Sequence, residues 1–319
     1  MNYQSFLGTP DFVRFCDELE LKLCEIIPER LPGAAFRRQW IDKLQGESYL
    51  SFTINPKDSA IGINLNVSDL YAKEVKAEGM VSAARVRSIA SEMLEKAIER
   101  LKMIPVIDDD LTDNYEKARP KLITQLVAVR GNEDMLRRIP YRQIEDLALV
   151  YRIFISSENG IETCLISSSM LEDYGVTAEQ LHQDAMANMS AISPVTIKDL
   201  QMLLADLAGA EAAEEVAPEL PDPEMPKLYF LGTGLKYLGA SAIFYPGVLE
   251  RCAETLGGNY YILPSSIHEV LLLKDDGTVD PEKLSCMIYE INRATVEPSE
   301  RLTDHPYYYD CGTKEFRSA

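Results

Sequence analysis

The sequence predicts an α+β protein with mixed or antiparallel sheets and helices packed on one face. Three observations carry that prediction. Several short segments alternate apolar and polar residues with period two, the pattern of a half-buried strand. Others repeat apolar residues every three or four positions behind a capping residue, the pattern of an amphipathic helix. The last hundred residues then place these patterns in the order β-α-β-β-α-β, which a split, ferredoxin-like unit would also show.

That order is clearest from residue 242 onward, in AIFYPGVLERCAETLGGNYYILPSSIHEVLLL. Residues 242–245 read as a short buried strand stopped by Pro246-Gly247. Val248, Leu249, Cys252, Ala253 and Leu256 share a helical face that Gly257-Gly258 ends. Residues 260–263 and 270–273 are two further strands, separated at Pro264. Asp280-Pro281 is a cap followed by proline at the first helical position. Leu284, Met287, Ile288 and Ile291 repeat behind it at helical spacing, and 307–309 supplies a last strand.

Earlier in the chain, Thr9-Pro10 opens a helix by the same logic. Phe12, Phe15, Cys16, Leu19, Leu23 and Ile26 form its stripe, and Pro28 is expected to end it. Residues 49–54 and 61–67 alternate as a hairpin. Ser68 or Asp69 caps a short helix, and Ser82 a longer one with Val86, Ile89, Ala90, Met93, Ala97 and Leu101 inward, closed by Pro105. A second strand-rich block follows, with strands at 122–129, 147–155 and 161–166 and a helical turn at 133–138. The segment 157–160 is a turn. Thr177 with Gln180 makes a capping box, and Thr196 is expected to cap a helix that Gly209 ends. This block resembles the C-terminal one in order, though not in sequence, so a duplication remains open. Residues 209–227 are rich in Ala, Glu and Pro without apolar period, and read as an exposed linker. The expected division is therefore 1–120, 121–208, the acidic linker 209–227, and 228–319.

Composition narrows the function classes. The chain has 319 residues, 46% of them apolar, so a sizeable core can form. Its formal net charge of −19 disfavours nucleic acid and anionic membranes, which attract Lys and Arg. No secretory leader or membrane span is read. The cysteines at 16, 24, 164, 252, 286 and 311 form no C-x-x-C pair, which fits a reducing cytoplasm. Cys252 and Cys286 fall on the apolar faces of their helices.

The motifs with chemical content are incomplete. Gly232-Thr-Gly234 follows a strand, but the third glycine of a dinucleotide loop is replaced by Tyr237, so a plain turn is expected. His268-Glu269 could open a zinc-protease helix, but the second histidine position holds Leu272. With only His182, His268 and His305 available, neither a metal site nor a cofactor is expected. The acidic run Asp108-Asp109-Asp110 lacks the glycine of a calcium loop at Asp113. Ser265, Ser266, His268 and Glu269 carry the residue types of a hydrolase, with Asp304 a conceivable orienting carboxylate. Neighbours in a strand face opposite ways, however, so His268 and Glu269 are not expected to act as a pair. The alternative is a turn whose hydroxyls satisfy backbone groups. No residue is assigned to catalysis. Tyr245, Ser265, Ser266, His268 and Glu269 are the candidate binding residues.

The segment FYPGVLERCAETLGGNYYILPSSIHEVLLL, with IEDLALVY at 144–151, YGVTAEQLHQDAM at 174–186 and GINLNVSDLY at 62–71, resembles a domain-of-unknown-function family, number 5688, of anaerobic gut bacteria. The resemblance implies a shared fold and a cytosolic bacterial origin; it brings no reaction and no site residues. The reading reached from sequence is a non-catalytic cytoplasmic protein that binds or regulates another protein. Two rivals stand beside it: an acidic decoy of a nucleic-acid-binding surface, and a small hydrolase using residues 265–269.

Overall fold

The computed structural model describes residues 6–44, 48–57, 62–78, 81–103, 111–157, 160–203 and 227–319. Apart from Ser157, they fall into two compact units, one within residues 1–109 and one within 110–319. The expected linker at 209–227 lies outside the described residues except for Lys227, as do the acidic run 108–110 and Pro105.

The first unit packs helices against a three-stranded sheet. Helix α1 (Pro10–Arg30) begins where Thr9 Oγ1 accepts the Phe12 N–H at 3.3 Å. It does not stop at Pro28 but continues to Arg30, because a proline in the last turn forfeits little more than one ladder bond. Strands β1 (Ala35–Asp42), β2 (Ser48–Asn55) and β3 (Ile63–Asn66) pair antiparallel in that order. The hairpin is as expected, whereas β1 is an addition. Helix α2 (Val67–Glu78) is capped by Asn66, whose Oδ1 accepts the Asp69 N–H; Ser68 is instead buried and accepts the Leu50 N–H. Helix α3 (Ala83–Met103) starts at Ser82. Phe15, Leu19 and Leu23 of α1 meet Phe52 and Ile54 of β2 and Ile89 of α3 in one core.

The second unit opens with a short helix α4 (Tyr115–Ala118) and strand β4 (Leu122–Ala128), then α5 (Glu133–Leu136). Strands β5 (Tyr141–Ile144) and β6 (Leu147–Ser157) follow, then β7 (Gly160–Leu165). Antiparallel β4 and β5 flank β6, and β7 also pairs with it. Helix α6 (Ser168–Tyr174) ends at Gly175 in the left-handed conformation, φ 64°. Helix α7 (Ala178–Ile192) starts where Thr177 Oγ1 accepts the Gln180 N–H.

Thr196 lies in a strand, β8 (Val195–Asp199), and caps nothing; the side chain of Asp199 accepts the N–H groups of Gln201 and Met202 instead. The remaining elements are β9 (Leu228–Thr233), a 3-10 helix (Gly239–Phe244), α8 (Val248–Leu256), β10 (Tyr260–Pro264) and β11 (Val270–Lys274). Helix α9 (Pro281–Thr295), a single 3-10 turn at Pro298–Glu300, β12 (Tyr307–Asp310) and β13 (Glu315–Ser318) complete the chain. The expected strand at 242–245 is thus a 3-10 helix, and β9 is the strand that opens the β-α-β-β-α-β order.

These strands form a six-stranded antiparallel sheet in the order β13-β12-β10-β11-β9-β8. The closing strand β12 docks on β10; a ferredoxin-like unit would place it beside the opening strand. Since β8 belongs to this sheet, residues on both sides of 204–226 share it. The α+β class holds, but helices lie on both faces of this sheet where one was expected. Alternation explains it. Tyr260, Ile262 and Leu272 face a core with the 3-10 helix, α8 and the four-stranded sheet, whereas Tyr261, Leu263, Leu273 and Tyr308 face Leu284 and Ile288 of α9. No helix among the described residues is long and apolar enough to cross a membrane.

Candidate functional site

Four of the five candidate residues meet at one corner of the six-stranded sheet, where β10 turns into β11. Pro264 ends β10, and residues 265–269 form a bend rather than a strand. Ser266 is buried, and its Oγ donates to Glu269 Oε1 at 2.6 Å while accepting the His268 N–H at 3.0 Å. This is the serine turn in which the hydroxyl satisfies a backbone donor.

His268 turns the other way. Its Nδ1 accepts the Leu238 N–H at 3.1 Å. A ring nitrogen that accepts carries no proton, so the proton of the neutral ring is on Nε2, which faces Glu300 Oε1 at 3.3 Å. The orienting carboxylate is therefore Glu300 and not Asp304. His268 and Glu269 are separated as expected, but by the bend and not by strand alternation.

The backbone ties the same three loops together. Ala240 N–H donates to Ile267 O at 3.2 Å, and Ile267 N–H to Glu300 O at 2.8 Å. Gly239 has to be glycine here: a Cβ would lie 2.5 Å from the His268 carbonyl oxygen and 2.9 Å from the Thr233 nitrogen. Gly232-Thr-Gly234 is not an open phosphate loop. Gly232 is in β9, and the Gly234 N–H is taken by Pro194 O at 3.1 Å.

Ser265 is half-buried beside this network. Tyr245 lies apart from it, in the core with Ile243 and Val248. Its hydroxyl is buried without a well-formed hydrogen bond, next to Ser241 and Ser193, and burial pushes the phenol up to about 12.

The arrangement ties the loops at 238–240, 265–269 and 300 together. Both imidazole nitrogens of His268 are engaged, and Ser266 Oγ approaches the His268 backbone rather than its ring. Leu238 and Glu300 escaped the sequence reading because neither sits in a motif; they reach His268 from 30 and 32 residues away. The one local hint was Gly239. Cys252 is buried as expected, but Cys286 is exposed on α9.

The molecule is an α+β protein whose candidate site is a hydrogen-bonded corner between sheet loops. The chain belongs to the family of unknown function DUF5688, whose model matches residues 12–311. No curated protein and no solved structure matches it.

Proposed function

We propose that this chain is a non-catalytic binding protein that recognises another protein in the cytoplasm. The observation that carries the reading is the closed network at residues 265–269, where each hydrogen-bonding atom of the His268 ring already has a partner. A general base must reach the proton it removes. A second observation supports a protein partner. Met287 and Ile291, one helical turn apart on α9, are 40% and 47% exposed, and an apolar flank of this kind is the composition of an interface centre. Six unpaired cysteines agree with a reducing compartment.

Two measurements on the full chain test this. An activity-based probe for serine and cysteine hydrolases is expected to leave the protein unlabelled; labelling that disappears in a folded His268→Ala variant would establish an enzyme. Affinity capture from the native cell, followed by mass spectrometry, is expected to return a partner that a Met287→Ser, Ile291→Ser double variant loses. A partner retained in full by that variant removes the α9 flank from the reading.

A further inference from the structure

Arg152 sits within β6 as a half-buried cation among neutral partners. Its Nε donates to Thr163 Oγ1 at 2.7 Å, and its Nη1 to Gln125 Oε1 at 3.0 Å. A guanidinium has five N–H donors, so among the described residues three are left over. The ionisable groups that act on it are a phenol and a thiol, those of Tyr237 and Cys164. Among the described residues it has no carboxylate partner.

Other arginines of the chain do meet carboxylates. Acidic residues outnumber basic ones, 51 to 32. Arg38 meets Asp17 and Glu20, Arg85 meets Glu74 and Glu92, and Arg142 meets Glu179. Withdrawing a charge from water is costly unless an opposite charge or a full set of hydrogen bonds compensates it. Arg152 has two such bonds, both to neutral atoms.

The surroundings are built. Gln125 is buried on the same face of the four-stranded sheet as Arg152, since Ile123 pairs with Arg152 and Gln125 with Val150. Thr163 also faces Tyr237, hydroxyl to hydroxyl at 3.5 Å, too long to satisfy either strongly. Tyr237 belongs to the turn after β9 and is flanked by Lys236 and Leu238, both left-handed at φ 52° and 53°. Non-glycine residues hold that conformation at a cost, and such strain concentrates where a side chain must be aimed. The His268 bond to the Leu238 N–H holds one side of the turn, and the Tyr237 and His268 rings lie 5.7 Å apart.

We propose that Arg152, Thr163 and Tyr237 anchor a small molecule through an oxyanion, a carboxylate or a phosphate. The unused N–H groups of Arg152 take two oxygens of the anion in parallel bonds, the geometry for which guanidinium is suited. The hydroxyls of Thr163 and Tyr237 can each rotate to donate to it. The network around His268 then has a purpose beyond tying loops: it fixes the turn that carries Tyr237. This site is independent of any protein partner.

The test uses the full-length protein in chloride-free buffer, titrated by calorimetry with inorganic phosphate and, separately, with succinate. Saturable binding of at least one is expected, with a higher melting temperature in its presence. Binding of phosphate alone assigns a phosphate-bearing ligand, succinate alone a carboxylate, and both the shared oxyanion chemistry. Arg152→Met is expected to weaken binding at least tenfold, and Tyr237→Phe to weaken it several-fold in a folded protein. If Arg152→Met does not fold, Arg152→Lys decides, since it keeps the charge and loses the paired donors. Failure of both anions to bind saturably in the millimolar range overturns the proposal, as does unchanged affinity in a folded Arg152 variant.

Discussion

Asn292 shows how a single residue can defeat a periodicity. The spacing of α9 points to Leu284, Met287, Ile288 and Ile291 as its buried stripe. Leu284 and Ile288 are buried, but the third inward position is Asn292, 2% exposed. Its Nδ2 donates to the carbonyls of Pro264 and Thr303 at 3.2 and 3.3 Å, which joins the end of β10 to the loop before β12. An apolar residue there would remove a buried hydrogen bond from each of two carbonyls, so polarity at this site reflects a need the sequence pattern does not display. Asn292→Ala is therefore expected to destabilise by about 1–3 kcal/mol. Met287→Ala and Ile291→Ala should each stay within about 0.5 kcal/mol. Urea denaturation of the three variants checks this ranking, which is the reverse of the one that hydrophobicity gives. His182 offers a second test at this scale. Its Nδ1 lies 3.0 Å from the Tyr151 hydroxyl, within hydrogen-bond distance, and burial, then the Arg142 charge, lowers its pKa below the ordinary value of 6.5. Burial pushes the Tyr151 phenol up to about 12, so the phenol keeps its proton and donates. A histidine with a depressed folded pKa contributes stability that is complete above the unfolded value and lost as pH falls through the folded one. Melting temperatures are expected to drop as pH falls below about 6.5, and the part due to His182 should vanish in His182→Gln. Identical pH profiles for the two proteins would remove His182 from this account.

Elements were legible where caps and alternation coincide. The Thr9, Ser82, Thr177 and Asp280 caps all lie where their sequences place them. So do β2, β4, β6, β10 and β11, whose apolar content is high. Strand β1 escaped because it is an edge strand without a clean alternation: Arg37, Arg38 and Trp40 are exposed and only Phe36, Gln39 and Ile41 turn partly inward. Strands β5 and β13 are four residues each and mostly exposed, too short for a period to register. Residues 242–245 failed for the opposite reason. An unbroken apolar run signals burial without distinguishing strand from helix. Ala240, Ala242 and Ile243 are indeed buried, in a 3-10 helix. The candidate site followed the same rule: Ser266 and Glu269 are close in sequence and could be read together, whereas Leu238 and Glu300 come from other elements. The turn between β9 and the 3-10 helix can be tested directly. Gly239→Ala would place a methyl group against the His268 carbonyl, so the loops must separate or the turn must shift. A loss of about 1–3 kcal/mol is expected, measured by thermal and chemical denaturation. Unchanged stability would mean that these loops are not tightly joined.

For the whole molecule, the sequence divided what the fold unites. A linker-like composition at 209–227 suggested that the block ending at 208 and the block starting at 228 were separate. Composition describes a segment's own tendency to pack, not whether the strands on either side pair with each other. Here β8 and β9 pair over five residues, from Val195 opposite Thr233 to Asp199 opposite Tyr229. The core adds to that ladder. Ile123, Leu126, Leu147 and Leu149 come from before the segment, and Tyr260, Ile262, Leu272 and Tyr307 from after it. Polar contacts cross the same interval: Tyr307 donates its hydroxyl to Asp146 Oδ1 at 2.5 Å, and Ser241 Oγ donates to Thr124 O at 3.2 Å. Eight buried apolar side chains of this kind contribute on the order of 1.5–3 kcal/mol each relative to exposure. That is ample to hold two chains together, even after the entropy of association is charged against it. Cutting the backbone within 209–227 is therefore expected to leave a complex. If a protease site is inserted in that segment and cleaved, both fragments should co-elute from a sizing column at the size of the intact protein, and separate only in denaturant. A C-terminal fragment that elutes alone under native conditions would show instead that residues 228–319 fold without the strands before them, and that β8 and the four-stranded sheet contribute little to the core they share.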